Sequence, residues 1–403
     1  MNEEYSIEDF ANNLLDGATR CRSCMQCYSV CPLVESTYGF STQGPYGILR
    51  SIYHGIKRDF DESLTVQDRQ VLRNILYSCT TCGACDIKCR TSGSGVSVVE
   101  LIEGGRKLLV DEMVGPLKNQ KTALKSIWNR GNPYGMPAAD RLDWLKSFSE
   151  KESLSCKIVP DDGEVDLLLY VGCTASYEKS IQDVACSLVT LLEHMKINYG
   201  ILKEEECCGS PANRIGDNRL FSDVSYKNTK KFIEYGVKHI ITISPHCYNT
   251  FVNEYTDSMK EIKIQHYTEF LSDMMEDGRL DIAKEIAKKI TYHDPCYLGK
   301  KNNIYDAPRK LLKGIPAVNL VEMKRNRQDS LCCGGGGGRM WDEVEEVTRL
   351  SEIRLREAMD VDAEIIATAC PWCHIQLQDA VQDTNNESKI VVKDIAEILV
   401  EAL

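Results

Sequence analysis

Short apolar segments alternate with longer amphipathic segments from Val165 onward. Three of the apolar segments have the length and the β-branched or aromatic content of buried strands, and they read VDLLLYVG, INYGIL and HIITIS. The stretches Ile181 to Met195 and Arg219 to Tyr235 have the apolar spacing of helices. This pattern predicts strands alternating with helices, which is typical of an α/β fold with a mainly parallel sheet.

The same alternation starts again near Ile290, where the predicted strands read KITYHDP, AVNLVEM and AEIIATA. Cysteines recur at matching places in the two stretches, at offsets of 123, 125 and 126 residues: Cys173 with Cys296, Cys207-Cys208-Gly209 with Cys332-Cys333-Gly334, and Cys247 with Cys373. This agreement predicts an internal repeat. We therefore expect two α/β domains, over residues 165–285 and 286–403.

The chain before the repeat is organised differently. Residues 1–115 hold two groups of four cysteines separated by a helix-like, mixed polar stretch, and they are predicted to form a helical domain. Residues 116–164 have scattered prolines and charges but no motif, so they are predicted to be a connector. The expected fold class is a multidomain one in which α+β and α/β parts follow one another.

Composition narrows the classes of function. The 403 residues include 19 cysteines, and the formal net charge is −12. An acidic chain is a poor nucleic-acid binder, because phosphate recognition needs clustered basic surface. The N-terminal residues lack the apolar core of a signal peptide, and no apolar run approaches the ~20 residues that cross a bilayer. We expect a cytoplasmic protein that reaches a membrane only through a partner and whose many thiols bind metal.

Two cysteine runs near the N-terminus have bacterial ferredoxin spacing. They are Cys21, Cys24, Cys27 and Cys31, followed by Pro32, and Cys79, Cys82, Cys85 and Cys89, followed by Arg90 in place of proline. Structural zinc needs four ligands per site and does not account for two identical runs. The motif predicts two [4Fe-4S] clusters. Because the fourth cysteine of such a run ligates the other cluster, we expect Cys89 to complete the first set and Cys31 the second.

The second repeat contains Cys296, then Cys332-Cys333-Gly334, then Cys370-Pro-Trp-Cys373, with 35 and 36 residues between the groups. Adjacent cysteines in a strand point to opposite faces. The pair is therefore expected in a turn, where Gly334 to Gly338 would let the backbone approach a bulky cluster. Cys370 to His374 also match thioredoxin-like and covalent haem motifs, but neither motif explains the Cys-Cys pair.

This arrangement resembles the CCG domain of the heterodisulfide reductase family. Two CCG domains behind a two-cluster ferredoxin module are similar to its D subunits, which resemble a fusion of the C and B subunits of the soluble enzyme. The resemblance implies Rossmann-like α/β CCG domains and a noncubane [4Fe-4S] cluster that cleaves the coenzyme M–coenzyme B disulfide of methanogenesis. The ligands it implies are Cys296, Cys332, Cys333, Cys370 and Cys373.

The first repeat departs from this pattern. Ser244 stands where the first cysteine of Cys-x-x-Cys is expected, and a hydroxyl is a poor substitute for a soft thiolate. The remaining cysteines are Cys173, Cys207, Cys208 and Cys247. This half is expected to bind zinc, to hold a further, modified cluster, or to be a structural copy, with the catalytic cluster in the second repeat.

Three further residues are candidates near the second repeat's cysteines. Asp294 follows a predicted strand and is expected to be a helix N-cap. His293 either packs in the core or protonates a departing thiolate, for which its ordinary pKa is suited. Arg339, within a local basic excess, is the best candidate for contact with an anionic substrate, although a solvated helix face explains most of the other basic residues.

Two functions are compatible with these motifs. The first is a disulfide reductase, in which electrons enter through the cubane clusters and pass singly to the CCG cluster. The second is a relay subunit that carries electrons from a flavin-dependent dehydrogenase for glycolate, lactate or glycerol 3-phosphate to quinone. Either protein would work in a hetero-oligomeric complex with a flavoprotein, a cytochrome b or a ferredoxin as electron donor. The complete five-cysteine set favours the disulfide reductase.

Overall fold

The structure is a computed structural model that describes residues 7–37, 39, 44–60, 64–93, 95–152, 156–342 and 347–403. The chain divides into two compact units. Unit 1 comprises residues 1–124, 211–219 and 334–350, and unit 2 comprises residues 125–210, 220–333 and 351–403. None of the helices in the described ranges combines the length and the hydrophobicity that a bilayer-spanning helix requires.

Unit 1 is helical, as the sequence predicts. Its helices are α1 (Ile7–Thr19), α2 (Pro32–Ser36), α3 (Pro45–Phe60), α4 (Val66–Ser78), α5 (Ala84–Thr91) and α6 (Val98–Asp111), with a 3-10 helix at Gln26–Val30. Glycines allow α1 and α6 to pack closely. A Cβ atom on Gly17 would lie 2.5 Å from Leu101, and one on Gly104 would lie 2.4 Å from Leu14, so neither position accepts a side chain without a shift of its neighbour.

The segment predicted to be a connector is largely helical. It holds α7 (Lys118–Arg130), a 3-10 helix (Ala138–Leu142) and α8 (Asp143–Glu152). Strand β1 (Lys157–Val159) follows. These elements were not predicted, because Pro116, Pro133, Gly135 and Pro137 indicate turns and lie among the short helical segments.

The first repeat forms a parallel sheet in the order β1-β3-β2-β4-β5. Its elements are β2 (Leu167–Tyr170), α9 (Gly172–Tyr177), α10 (Lys179–His194), β3 (Tyr199–Leu202), α11 (Ser210–Ile215), α12 (Asn218–Glu234), β4 (His239–Thr242), α13 (Pro245–Asn253), β5 (Lys263–His266) and α14 (Tyr267–Glu276). The predicted strands β2, β3 and β4 and the predicted helices α10 and α12 are confirmed.

The second repeat forms a parallel sheet in the order β7-β6-β8-β9. Its elements are β6 (Lys289–Tyr292), α15 (Gly299–Asn302), α16 (Asp306–Gly314), β7 (Asn319–Val321), α17 (Leu350–Met359), β8 (Ile365–Thr368), α18 (Pro371–Asp383), β9 (Val391–Asp394) and α19 (Ile395–Glu401). The strand order matches β3-β2-β4-β5, so the predicted repeat is confirmed at the level of topology.

One hydrophobic core extends through both repeats of unit 2. Helix α10 of the first repeat packs against α19 of the second, and α14 of the first packs against α16 of the second. Leu188 and Leu192 from α10 and Ile395 and Leu399 from α19 are fully buried in this core. Burial of side chains of this size contributes about 1.5–3 kcal/mol each. The two repeats therefore share a core.

Candidate metal centres

The second ferredoxin run of unit 1 receives one thiol from the first run. Burial raises the pKa of Cys31, and the neighbouring thiols of Cys82 and Cys79 raise it further. Burial raises the pKa of the Cys85 thiol most, and the negative charge of Asp86 raises it further. The neighbouring thiols of Cys79, Cys82 and Cys31 act in the same direction. The structure thus brings Cys31 together with Cys79, Cys82 and Cys85.

The other thiols of the two runs form a second group. Burial raises the pKa of Cys27 to about 11, and the thiols of Cys21 and Cys24 act in the same direction. Helix α5, which carries Cys89, packs against the 3-10 helix that carries Cys27. The Cys89 Sγ atom accepts a hydrogen bond from the Val96 backbone N–H at 3.3 Å. Backbone N–H groups directed at cysteine sulfur are typical of iron-sulfur ligands.

The glycine run after Cys333 belongs to unit 1, where it lies against the second ferredoxin loop. A Cβ atom on Gly336 would lie 2.4 Å from the Thr80 carbonyl oxygen, and one on Gly337 would lie 2.2 Å from that of Cys79. The close approach expected of the glycine run is therefore an approach to the backbone at Cys79, one of the predicted cubane ligands. Arg339 lies there as well, and its guanidinium donates to the Ser78 carbonyl at 3.3 Å.

In the second repeat, cysteines gather at the carboxyl ends of the strands, where open α/β sheets bind ligands. Cys370 directly precedes α18, and Cys373 lies in its first turn, where the helix dipole favours an anionic sulfur. The side chains of Cys333 and Cys373 and of Cys370 and Cys373 interact. Cys333 and Cys373 also form, with His293, a group whose possible ligand atoms all lie within 4.8 Å of one another.

The remaining two predicted ligands of the second repeat are also buried. Cys296 is 7% exposed and Cys332 is 4% exposed, so neither thiol is solvated. Gly334 has φ +100° and Gly209 has φ +84°, so the glycine after each Cys-Cys pair adopts a conformation that other residues disfavour. The turn that the sequence analysis predicted after the cysteine pair is present in both repeats.

The four thiols of the first repeat form a chain of neighbours. Side-chain interactions join Cys173 to Cys207, Cys207 to Cys208, and Cys208 to Cys247. The Gly209 backbone N–H donates to the Cys207 Sγ atom at 3.4 Å. All four thiols are buried. A set of soft sulfur donors fits zinc or an iron-sulfur cluster and does not fit hard cations.

Comparison with known proteins finds a ferredoxin-type domain family in unit 1 and a cysteine-rich domain family in each repeat. Residues 17–92 match the 4Fe-4S dicluster domain family, and residues 167–252 and 290–378 match the cysteine-rich CCG domain family. The chain is 30% identical to the D subunit of the dihydromethanophenazine:CoB–CoM heterodisulfide reductase of Methanosarcina barkeri over 398 residues, covering 95% of this chain and 93% of that protein. The chain belongs to the family of heterodisulfide reductase D subunits. It is an iron-sulfur oxidoreductase subunit.

Two longer proteins are also similar to this chain. It is 35% identical over 331 residues to the probable iron-sulfur-binding oxidoreductase FadF of Bacillus subtilis, covering 81% of this chain and 46% of FadF. It is 34% identical over 337 residues to the EtfAB:quinone oxidoreductase of Syntrophomonas wolfei, with the same two coverages of 81% and 46%. The chain thus spans about half the length of these two relatives.

His293 is held by an arginine that sequence reasoning missed. Arg354 is fully buried, and its Nε atom donates to His293 Nδ1 at 3.1 Å, which leaves Nε2 as the ring nitrogen that carries the proton. Burial and the positive charge of Arg354 lower the pKa of His293. The ring is therefore a neutral hydrogen-bond donor beside Cys333 and Cys373.

The prediction that Asp294 is an N-cap is wrong. Its carboxylate accepts two hydrogen bonds from the Arg309 guanidinium, at 2.6 and 2.9 Å, and one from the Arg327 backbone N–H. Arg309 also pairs with Glu322. Part of the basic excess noted in the sequence is thus occupied by internal ion pairs, since Lys310 likewise pairs with Glu276.

A buried ion pair lies beside the first repeat's thiols. The Arg141 guanidinium donates to Glu205 and lies 3.7 and 3.8 Å from the Cys173 Sγ atom. The Glu205 carboxylate also accepts from the backbone N–H groups of Val171 and Gly172, at 2.9 and 2.8 Å. Neither charged side chain is more than 3% exposed. The pair therefore holds the turn that leads into Cys173.

Ser244 caps a helix in place of offering a thiolate. Its hydroxyl accepts a hydrogen bond from the His246 backbone N–H at 3.2 Å at the start of α13. Cys370 stands at the equivalent N-cap position of α18 in the second repeat. The serine thus gives the first repeat a stable helix start at the position of the missing cysteine.

Replacement of Ser244 by alanine is expected to lower the free energy of unfolding by about 1 kcal/mol, because the cap is lost. Ser244→Asp, which keeps a side-chain acceptor, is the matched control and should stay close to wild type. Anaerobic urea unfolding of the two variants measures the effect. Release of metal from the first repeat in Ser244→Ala would contradict the capping role and would make the hydroxyl a ligand.

Proposed function

We propose that this chain reduces a disulfide at the second repeat, most specifically the coenzyme M–coenzyme B heterodisulfide, with electrons supplied through the two clusters of unit 1. The observation that carries the proposal is the buried group formed by His293, Cys333 and Cys373. A relay of electrons needs no side-chain donor beyond the backbone N–H groups that stabilise cluster sulfur. A centre that releases thiolates does need one, because charge develops on sulfur as the S–S bond breaks.

A noncubane [4Fe-4S] cluster bound by the five cysteines of the second repeat would supply one-electron reduction and a binding place for sulfur. Cleavage of a disulfide to two thiols takes two electrons and two protons. His293 accepts from Arg354 at Nδ1, so its Nε2–H group would be the donor offered to sulfur in this buried group, where it would stabilise developing thiolate charge. Burial of the surrounding thiols excludes water and strengthens that interaction.

Arg354 supports the same chemistry. Its Nη1 atom donates to the Arg325 carbonyl and to Glu357, both at 2.6 Å, so the guanidinium cannot turn freely. Its Nη2 atom is buried and has no hydrogen-bond partner among the described residues. Buried donors are normally satisfied, and an acceptor on a bound substrate is a suitable partner for this one.

The proposed assembly is a hetero-oligomer. A flavoprotein, a cytochrome b or a ferredoxin would donate electrons to unit 1, and the chain would meet a membrane only through such a partner. The names of several relatives describe them as subunits. The first repeat would hold zinc or a further cluster through its four buried sulfurs.

Variants at His293 test the proposal. The anaerobically purified protein, reduced by a viologen dye, is expected to turn over the coenzyme M–coenzyme B disulfide. His293→Phe should lower kcat by about 10²–10³ at unchanged iron content, and His293→Gln, which keeps an N–H donor, should retain more activity. His239→Gln is the matched control, because His239 is only half-buried and pairs with Gln265. No disulfide turnover from a protein with a full iron complement would refute the proposal.

The second candidate is an electron relay between a flavin-dependent dehydrogenase and quinone. It is favoured by the identities of 35% and 34% to FadF and to the EtfAB:quinone oxidoreductase, which exceed the 30% to the heterodisulfide reductase relative. Electron paramagnetic resonance separates the two functions. Oxidation in the presence of coenzyme M should produce a new substrate-dependent signal in a disulfide reductase, and no such change in a relay.

A further inference from the structure

The two repeats exchange side chains beside their cysteines. Trp372, between Cys370 and Cys373 of the second repeat, donates its indole N–H to the Thr174 hydroxyl of the first repeat at 3.1 Å. Thr174 directly follows Cys173, so this hydrogen bond joins the surroundings of the two cysteine sites. The Tyr134 hydroxyl also donates to the Thr174 oxygen, at 3.0 Å, which fixes the acceptor in place.

A second contact joins the two repeats, here between a residue beside Cys296 of the second repeat and one beside Cys247 of the first. Tyr297, which follows Cys296 of the second repeat, stacks on His246, which precedes Cys247 of the first, with ring centroids 4.1 Å apart and planes 26° apart. The His246 ring also lies against Trp372, with centroids 4.3 Å apart. Stacked rings at such distances contribute about 0.5–1.5 kcal/mol beyond their buried area.

These contacts follow the internal repeat. Thr174 and Tyr297 occupy equivalent positions, as do His246 and Trp372, at the same offsets of 123 and 126 residues that relate the cysteines. Thr174 of the first repeat contacts Trp372 of the second, and Tyr297 of the second contacts His246 of the first. The same two equivalent positions therefore meet twice, once in each direction across the two repeats. All four residues are at most 9% exposed. The first repeat is thereby built into the surroundings of the second site although it lacks one cysteine.

Trp372 is also connected to the sulfur atoms of its own site. The Cys370 Sγ atom, at the N-cap of α18, accepts hydrogen bonds from the backbone N–H groups of Trp372 and Cys373 in the first turn. A shift of the indole would move the peptide that supplies one of these N–H groups. The Thr174 hydroxyl therefore lies one hydrogen bond away from the residue that orients Cys370.

We infer that Thr174 and His246 of the first repeat are positioning residues for the Cys370–Cys373 turn, so that the second metal site is complete only when the first repeat is packed against it. Thr174 fixes the indole edge of Trp372, and His246 fixes its face together with Tyr297. Partners of this kind, which hold ligand-bearing groups without touching the metal, commonly change metal retention about 10–100-fold when they are removed. The inference rests on the proposal that the second repeat binds a metal cluster, and it does not depend on which reaction that cluster performs.

Three threonine variants of the full-length, cluster-loaded protein test this inference. Thr174→Val has nearly the same shape without the acceptor oxygen, and Thr174→Ser keeps that oxygen. Thr190→Val is the matched control, because the Thr190 hydroxyl bonds to the Cys186 carbonyl on its own helix. Iron of the second repeat is defined as the iron that wild type contains and a Cys333→Ser variant lacks. Its release to a chelator and its reduction potential are then measured anaerobically.

Thr174→Val is expected to release the second repeat's iron about 10-fold faster than wild type and to shift the potential of that cluster, while the signals of unit 1 stay unchanged. Thr174→Ser and Thr190→Val should behave as wild type. If valine, serine and wild type release iron at the same rate and share one potential, the inference is overturned. If wild type and Cys333→Ser contain equal iron, the proposed function itself fails.

A second variant covers the case in which Thr174→Val folds poorly. Trp372→Phe keeps an aromatic ring for His246 to stack on and removes the indole N–H. It is expected to give the same faster iron release and the same shift of potential as Thr174→Val. Wild-type values for both measurements in Trp372→Phe would overturn the role of the hydrogen bond.

Discussion

Replacement of Glu205 by glutamine is expected to lower the free energy of unfolding by about 3–5 kcal/mol, because it leaves the Arg141 guanidinium buried without a counter-charge. Val171 and Gly172 donate to different carboxylate oxygens, and glutamine keeps only one acceptor oxygen, so one of these backbone N–H groups also loses its partner. Both side chains are almost inaccessible to water, at 3% and 1% exposed. Anaerobic urea unfolding followed by tryptophan fluorescence reports the change, since Trp144 and Trp372 are buried in unit 2.

Two further variants separate charge from packing. Asp161→Asn removes the partner of Lys203 in an ion pair that is about half exposed, and solvent screens such a pair, so the free energy of unfolding should change little. The double variant Arg141→Met with Glu205→Gln removes both charges and should regain part of the lost stability. Equal unfolding energies for Glu205→Gln and Asp161→Asn would contradict the structural role of the buried pair.

The same substitution should also weaken the metal binding proposed for the first repeat. Arg141 contacts the Cys173 Sγ atom, and Glu205 holds the two peptides that precede Cys173. We therefore expect Glu205→Gln to lose zinc or iron from the first repeat, while the clusters of unit 1 remain. Metal analysis of the purified variant measures this loss. Retention of the first repeat's metal would restrict Glu205 to a role in folding.

The central strands were predictable because burial on both faces makes them continuous apolar runs. Strands β2, β4, β6 and β8 lie inside the sheets, and nearly all of their residues are buried. Strands β1, β5 and β9 lie at the edges, and their partly exposed residues give short, mixed segments. Their apolar signal was too weak to distinguish them from loops.

Cysteine spacing predicted which thiols the fold brings together, because cysteines that lie close together in the chain leave a local pattern. The charged residues that support those cysteines leave none. Arg354 reaches His293 from 61 positions away, and Arg141 reaches Glu205 from 64 positions away. A single buried arginine has the same local sequence context as an exposed one, so these partners appear only when the fold places them together.

The two repeats differ at the residue that begins the helix after the fourth strand of the first sheet and the third strand of the second, which is Ser244 in one and Cys370 in the other. Comparison of the two repeats shows Ser244 at the position of Cys370, which is a predicted ligand. In the structure, Ser244 caps the start of α13. Loss of a ligand at that point has not removed the fold, because the shared core and the crossed contacts at Thr174 and His246 still bind the first repeat to the second.

Arg106→Met is expected to lower the free energy of unfolding by at least about 3 kcal/mol, because each buried carbonyl left without a donor costs about 1–3 kcal/mol. Arg106 is fully buried, and its guanidinium donates to carbonyl oxygens from three separate parts of unit 1. The acceptors are Leu76 and Cys79 at 2.8 and 2.7 Å, Arg214 at 2.8 Å and Gly337 at 2.9 Å. The arginine therefore holds the ferredoxin loop, α11 and the glycine run together.

Matched variants decide whether this network or general burial is responsible. Arg69→Met removes a partly exposed arginine that pairs with Glu112 in the same unit, and it should cost about 1 kcal/mol or less. Arg106→Lys keeps the charge, but its ammonium cannot reach four carbonyls in different directions, so it should resemble Arg106→Met. Because Cys79 loses a backbone partner, iron of unit 1 should fall in both Arg106 variants and not in Arg69→Met. A full iron complement in Arg106→Met, with unfolding energy equal to that of Arg69→Met, would show that the carbonyls find other donors.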